Sequence, residues 1–322
     1  MKTNRFKRNK SEPMSLNSRD VEILKLVYRF RFLTTGHIQK YFNLQNRQSI
    51  NPRLRLLFDN KILDRPLHQI NNYKIMEGSS PMVYSVGNEG ARFLNRNFGL
   101  YFPKSGYQTE KNRVVKSLFI EHSLEIADFF IDIERYCLDH SNIRFIGLDE
   151  ILSLAPIKTI RKGNGFKWPV SIKWEGLKED FFIIPDGIFG LEFLDRPEGA
   201  NKIYFFYEAD RGTMPLTRKD LKQTSFLRKL LSYQNTHDNK LQSEHFGINN
   251  FRVLTVTTGS ERVTNLTNVC SRFLPDTSPN MFLFHNNKFD TNPLSSFWTN
   301  ARGKDIKLFN DELKNTVMLD TF

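Results

Sequence analysis

Two apolar runs constrain the fold of this chain more than any other feature. "DFFIIPDGIFGLEF" (180–193) and "KIYFFYEAD" (202–210) are rich in Phe, Ile and Tyr and are punctuated by Gly and Pro. Short runs of this kind, apolar on both faces, read as strands buried in a sheet. Similar strand patterns are "IRFIGLDEI", "KWPVSIKWEG", "FRVLTVTTG" and "MFLFH". Helical patterns alternate with them: "NRVVKSLFIEHSLEIADFFIDIERYCLDH" (about 113–139), "RKDLKQTSFLRKLLSYQNTH" and "ERVTNLTNVCSRF". This mixed order predicts an α/β or α+β domain with a central mixed sheet over 113–286. Residues 287–322 are expected to form a C-terminal helical extension.

The first hundred residues follow another plan. Residues 1–14 are basic and polar and read as a disordered arm. "LNSRDVEILKLVYRFRFLT" gives a helix with Ser18 as N-cap, and "TTGHIQKYF" a second, capped by Thr35. The third, "INPRLRLLFDNK", should start near Ser49 or Asn51, because Pro52 suits only the first turn. "ILDRPLHQI" and "PMVYSVG" flank the polar tip "NNYKIMEGSS" as a hairpin with a long wing, and "NEGARFLNRNFG" closes the unit on Gly99. Three helices followed by a hairpin is the order of a winged helix-turn-helix, expected over 15–99 with a linker at 100–112.

Charge sharpens that reading. The chain carries a net +12, and residues 1–100 hold 18 Lys/Arg against 7 Asp/Glu. Solubility does not require one-sided charge, so the excess points to a polyanion, most simply double-stranded DNA. On the third helix Ile50, Leu54, Leu57 and Phe58 form an apolar back, leaving Asn51, Arg53 and Arg55 with Arg47 before them to reach bases and phosphates; Lys74 at the wing tip adds a phosphate contact. Cys137 and Cys270 offer neither a disulfide framework nor zinc-ligand spacing, and no run of about 18 apolar residues occurs. A cytoplasmic protein without membrane insertion is expected.

The chemistry is concentrated where the two apolar runs end. Pro185-Asp186 precedes Glu208-Ala209-Asp210 by 22 positions, counted from Asp186 to Glu208. Strand alternation puts Glu208 and Asp210 on one face, and pairing the two strands would bring Asp186 beside them. Converging carboxylates repel unless a cation joins them, and hard oxygen ligands suit Mg²⁺ or Mn²⁺. A nuclease of the Pro-Asp, acidic-x-Lys type would carry lysine where Asp210 stands. Lys229 or Lys222 on the next helix could supply the missing charge, with Tyr233 four residues past Lys229. Glu125, one turn beyond His122 on the long helix, is a candidate fourth ligand.

"SLNSRDVEILKLVYRFRFLTTGHIQ", "RLRLLFDNKILDRP", "EHSLEIADFF", "IIPDGIFGL", "FFYEADRGT" and "FLRKLLSYQ" together resemble the replication-relaxation family of plasmids and mobile elements, over roughly residues 15–265. The resemblance implies an N-terminal winged helix and a domain similar to the PD-(D/E)XK restriction-endonuclease fold. The family includes C-class mobilisation relaxases, which nick a transfer origin without a histidine cluster; the seven histidines here form no His-x-His pair. Carried over, Asp186 and Glu208 are the metal-binding acids, with Asp210 beside them. Two readings follow: a metal-dependent nicking enzyme acting at a transfer or replication origin, or a non-enzymatic relaxosome accessory or transcriptional regulator on a degenerate nuclease fold. Relaxosome or coupling proteins, or a second copy as a homodimer, are the expected partners.

Overall fold

A computed structural model of the chain describes residues 5–10, 14–69, 81–100, 107–160 and 167–309. It divides into two compact units, 1–131 and 132–322, with the division inside one long helix.

The first unit runs α1 (Ser18–Phe30), β1 (Leu33–Thr34), α2 (Thr35–Tyr41), α3 (Arg47–Asp59), β2 (Leu63–Asp64), β3 (Val83–Val86), α4 (Asn88–Phe98) and α5 (Tyr107–Val114), and takes in α6 (Ser117–Asp139) as far as Ile131. Its three strands pair in the order β1-β3-β2, all antiparallel. Ile23, Leu24 and Val27 of α1 pack on Ile50, Leu54 and Leu57 of α3, all essentially inaccessible, so the helical period read from the sequence is the one buried. The caps lie one residue earlier than expected. Asn17 and Thr34, not Ser18 and Thr35, hold the extended N-cap conformation, each bonding reciprocally with the residue three positions on. Helix α3 begins at Arg47, which leaves Pro52 inside it.

Two expectations here are corrected. Residues 5–10 are not a loose arm. Arg8 donates to Asp64 (2.8 Å) and lies over the Phe58 ring, the Asn9 amide donates to Asp59 (2.9 Å), and Arg55 donates to the Lys7 carbonyl (2.7 Å). Two acids and one aromatic face collect the segment's cations and backbone. Of the expected linker 100–112, residues 101–106 lie outside the described residues and 107–112 belong to α5; in place of a single helix from 113 stand α5 and α6, broken at Val115–Lys116, where Val115 packs on Phe32, Val83, Ile120 and Leu124.

Beyond α6 the second unit runs β4 (Ile143–Ile146), α7 (Leu148–Leu154), α8 (Ile157–Ile160), β5 (Trp168–Trp174), β6 (Leu177–Ile183), β7 (Gly187–Phe193), β8 (Lys202–Asp210), α9 (Phe226–Asp238), α10 (Leu241–Phe246), β9 (Arg252–Thr257), α11 (Ser260–Phe273), β10 (Phe282–Asn286), β11 (Phe297–Asn300) and β12 (Asp305–Lys307). Seven strands form a mixed sheet in the order β12-β11-β10-β9-β8-β7-β4, with β8, β9 and β10 parallel and the other pairs antiparallel. Strands β5 and β6 make a separate hairpin. The chain is thus an α+β protein with a mixed central sheet. Residues 287–309 are not helical: β11 and β12 extend the sheet, anchored by fully buried Trp298. On one face of the sheet Phe206, Val253, Phe282 and Phe284 pack against Phe226, Leu227, Leu230 and Tyr233 of α9 and Leu266 of α11. Gly190 of β7 is required by closeness, since a Cβ there would stand 2.9 Å from the Tyr204 ring.

Candidate functional site

Strand β8 is central, bonded to β7 on one side and β9 on the other. Its aromatic run keeps Phe205, Phe206 and Tyr207 buried up to Glu208, which is itself only 2% exposed. Phe206, Glu208 and Asp210 share a face by strand alternation. Phe206 fixes that face as the one covered by α9 and α11, so the strand delivers two carboxylates beneath two helices.

Helix α9 meets Glu208 with both groups the sequence singled out. Lys229 Nζ donates to Glu208 Oε2 at 2.5 Å and the Tyr233 hydroxyl donates to Oε1 at 2.6 Å. The i,i+4 spacing puts both on one helix face, over the two oxygens of a single carboxylate. Lys222 does not enter; it bonds Glu179 of β6 at 3.3 Å. Asp186, one residue before β7, is held beside β8 twice: its amide donates to the Tyr207 carbonyl (3.0 Å), and its Oδ2 accepts from the Ala209 amide (2.9 Å). Asp210 takes a partner the sequence did not offer. Arg262, in the first turn of α11, donates through Nε to Oδ2 (2.8 Å) and through Nη2 to Oδ1 (3.3 Å), while Thr257 Oγ1 also donates to Oδ2 (2.8 Å). The contact follows from topology: β9 lies parallel to β8, so the helix that follows β9 starts where both strands end.

The electrostatics follow from burial. Loss of solvent pushes the Glu208 carboxyl up to about 7; Lys229 pulls it down, and Asp186 adds to the rise. Burial works against the Lys229 ammonium, but the attraction of Glu208, Asp186 and Asp210 outweighs it and holds the ammonium above its ordinary range. Burial and Glu208 raise the Tyr233 hydroxyl well above 10, so it stays a donor. The corner therefore sets three acids against two fixed cations, Lys229 and Arg262. Burial pushes Cys137 and Cys270 up to about 12, which removes both as nucleophiles at neutral pH.

Among the described residues no three His, Cys, Asp or Glu side chains are grouped as a metal-ligand set. Magnesium asks for less, commonly one or two carboxylates with water and substrate phosphate completing its shell. Asp186 and Glu208 meet that smaller demand, because each carboxylate oxygen offers a second lone pair beyond the bonds described. Asp210 is the more heavily engaged acid: its oxygens accept from Gly212, from Thr257 and twice from Arg262, whereas those of Glu208 accept from Lys229 and Tyr233. Glu125 and His122 lie on α6 within the first unit.

On α3, Asn51 is exposed. Arg53 is not available as a plain surface cation: it bonds both oxygens of Asp20, which has no accessible surface and belongs to the α1 cap, and this bond holds the guanidinium above its usual range despite some desolvation. Arg55 pairs with Asp59 (2.9 Å) as well as with the Lys7 carbonyl. The Arg47 side chain and Lys74 lie outside the described residues. No helix among the described residues is long and apolar enough to cross a membrane.

Comparison with known proteins adds the family. No curated protein and no solved structure matches the chain. A family model described as replication-relaxation matches residues 24–250, more than two thirds of the chain, a span that runs from α1 through Asp186, Glu208 and Tyr233. That match suggests a role in the replication or mobilisation of plasmids and mobile elements and an interaction with DNA. On this span and these residues, the chain belongs to the replication-relaxation family.

Proposed function

We propose that the chain is a DNA-binding protein that nicks one strand at a transfer or replication origin, using Asp186, Glu208 and Lys229. The observation that carries this reading is the 2.5 Å contact of Lys229 with Glu208 beside Asp186. It restores the two-acid, one-lysine set of a PD-(D/E)XK nuclease by drawing the lysine from α9 instead of from the strand. The sheet flanked by α9 and α11 suits that fold, and the order α1, β1, α2, α3, β2, β3 suits a winged helix with α3 as its recognition helix.

In this reading Asp186 and Glu208 hold Mg²⁺ or Mn²⁺, which would supply a polarised water and charge stabilisation at the scissile phosphate. Lys229 offsets part of the rise that burial imposes on the Glu208 carboxyl and presents an ammonium where negative charge develops. Tyr233 fixes the carboxylate's rotation. Asp210, standing in the lysine's strand position, holds Arg262 and leaves ligation to the other two acids.

A second reading has its own support. Glu208 is buried with both oxygens bonded to protein, as a purely structural ion pair would be. On that reading the chain is a non-enzymatic accessory or regulator. Cleavage of origin DNA by the wild-type chain separates the two, and Lys229→Ala then tests the corner. In the nicking reading, single-turnover cleavage at saturating DNA falls about 10²-fold or more while DNA affinity holds, because a contact to transition-state charge is lost. Lys158→Ala, at an exposed position elsewhere on the second unit, leaves the rate unchanged. A Lys229→Ala protein that is folded and cleaves at the wild-type rate removes Lys229 from the chemistry.

A further inference from the structure

The segment that joins β8 to α9 is long, fixed and positively charged, and no role given above uses it. Residues 211–225 contain neither helix nor strand. A stretch of that length without secondary structure is uncommon inside a compact domain and is most often functional. Here it is also rigidly held. Gly212 turns the chain out of β8 with φ +72°, Met214 and Leu216 pack on the core, and Leu221 is buried. The Pro215 and Leu216 carbonyls accept the first amides of α9, and Arg262 donates to the Met214 carbonyl (2.7 Å). Arg228 donates to the Lys222 carbonyl (2.8 Å) and the Thr224 hydroxyl (2.7 Å), and Arg218 to the Gln223 side chain (2.7 Å). The opening amides of α9 are thus satisfied within the loop, so an anion arriving here would meet side chains instead of a helix end.

Charge decides what the loop suits. Residues 132–322 carry 25 Lys/Arg and 24 Asp/Glu, near balance. Residues 211–229 hold six of those bases and one of the acids, leaving 19 against 23 in the rest of the unit. The rest of the unit is net negative as a whole, and although residues 156–174 carry an equal excess of five, only 211–229 joins Asp210 to Lys229. A solubilising distribution would be spread over the surface. An acidic protein segment would also meet these cations, but the loop borders the corner where a phosphodiester would be cleaved, and that placement favours a polyphosphate backbone.

We propose that loop 211–225 is a second nucleic-acid contact surface, separate from α3, that holds the sugar-phosphate backbone of the strand entering the Asp186–Glu208–Lys229 corner, with exposed Lys219 and Lys222 as phosphate contacts. The proposal rests on the nicking reading for its location, but binding alone tests it. The Lys219→Ala/Lys222→Ala double variant of the full chain is titrated against a short duplex and a single strand of the same length, by fluorescence anisotropy over a range of salt. Each phosphate contact contributes about 0.9 to the slope of log K against log salt on duplex and about 0.7 on a single strand, so the slope falls by about 2 and about 1.5 respectively. Lys158→Ala/Lys288→Ala, with the same charge change on exposed lysines elsewhere in the unit, keeps the wild-type slope. A melting curve matching wild type shows that the loop variant is folded. A slope on both substrates equal to that of the control variant overturns the proposal and leaves the loop to a protein partner. Because cleavage is not measured, a protein that never nicks can still show the slope change, so the two readings fail separately.

Discussion

Glu208 carries the clearest residue-scale consequence. Its carboxyl rises from an ordinary 4.5 to about 7 on folding, so between those values the folded chain keeps a proton that the unfolded chain has released. The associated stability is fully present below about 4.5 and is lost as pH rises through about 7, by up to about 3 kcal/mol. Glu208→Gln does not titrate, so its melting temperature should gain on wild type as pH rises across that window; parallel curves would contradict the assignment. Arg53 gives a second test. Arg53→Ala leaves the Asp20 carboxylate buried without its cation and should cost about 2–4 kcal/mol in denaturant unfolding, whereas Arg55→Ala, losing a more exposed pair, should cost under about 1 kcal/mol. Equal losses would mean that Asp20 is not neutralised by Arg53. The Arg53–Asp20 contact was not legible in the sequence because its partners are 33 positions apart and no periodic pattern links them. Lys229 was legible because Tyr233 and the apolar residues of α9 fix which face it shares.

At the scale of elements, strands whose residues alternate or run apolar could be read, and those at the sheet's edge could not. Strand β8 was plain from "KIYFFYEAD", and its alternation correctly placed Glu208 and Asp210 on one face. The edge pair β11–β12 has four and three residues set among Ser, Asn and Gly, too short for a period to show, so no pattern in 287–322 marks them as strands. Its weight in the fold comes from Trp298, fully buried, with its indole N–H donating to the Pro293 carbonyl (2.9 Å). Trp298→Ala should destabilise the chain by about 3–5 kcal/mol, read from thermal or denaturant unfolding. A loss below about 1 kcal/mol would show the edge strands to be dispensable. Arg262 was missed for a related reason: the contact depends on β9 lying parallel to β8, and strand order is a tertiary fact that local pattern does not carry.

For the whole molecule, two compact units match the change in charge along the sequence, strongly basic in the first hundred residues and nearly balanced afterwards. In the proposed account the first unit selects the site on DNA and the second cleaves, so cleavage and binding should be separable by mutation. The most direct measurement uses a supercoiled plasmid bearing the chain's own origin, incubated with purified full-length protein and Mg²⁺ or Mn²⁺. The account predicts conversion to the open-circular form, stopped by EDTA, and abolished by Asp186→Ala and by Glu208→Gln while both variants still shift origin DNA in a gel. Origin DNA that is bound by the wild-type protein and never nicked with either metal would contradict it and leave the acidic corner a structural ion-pair cluster.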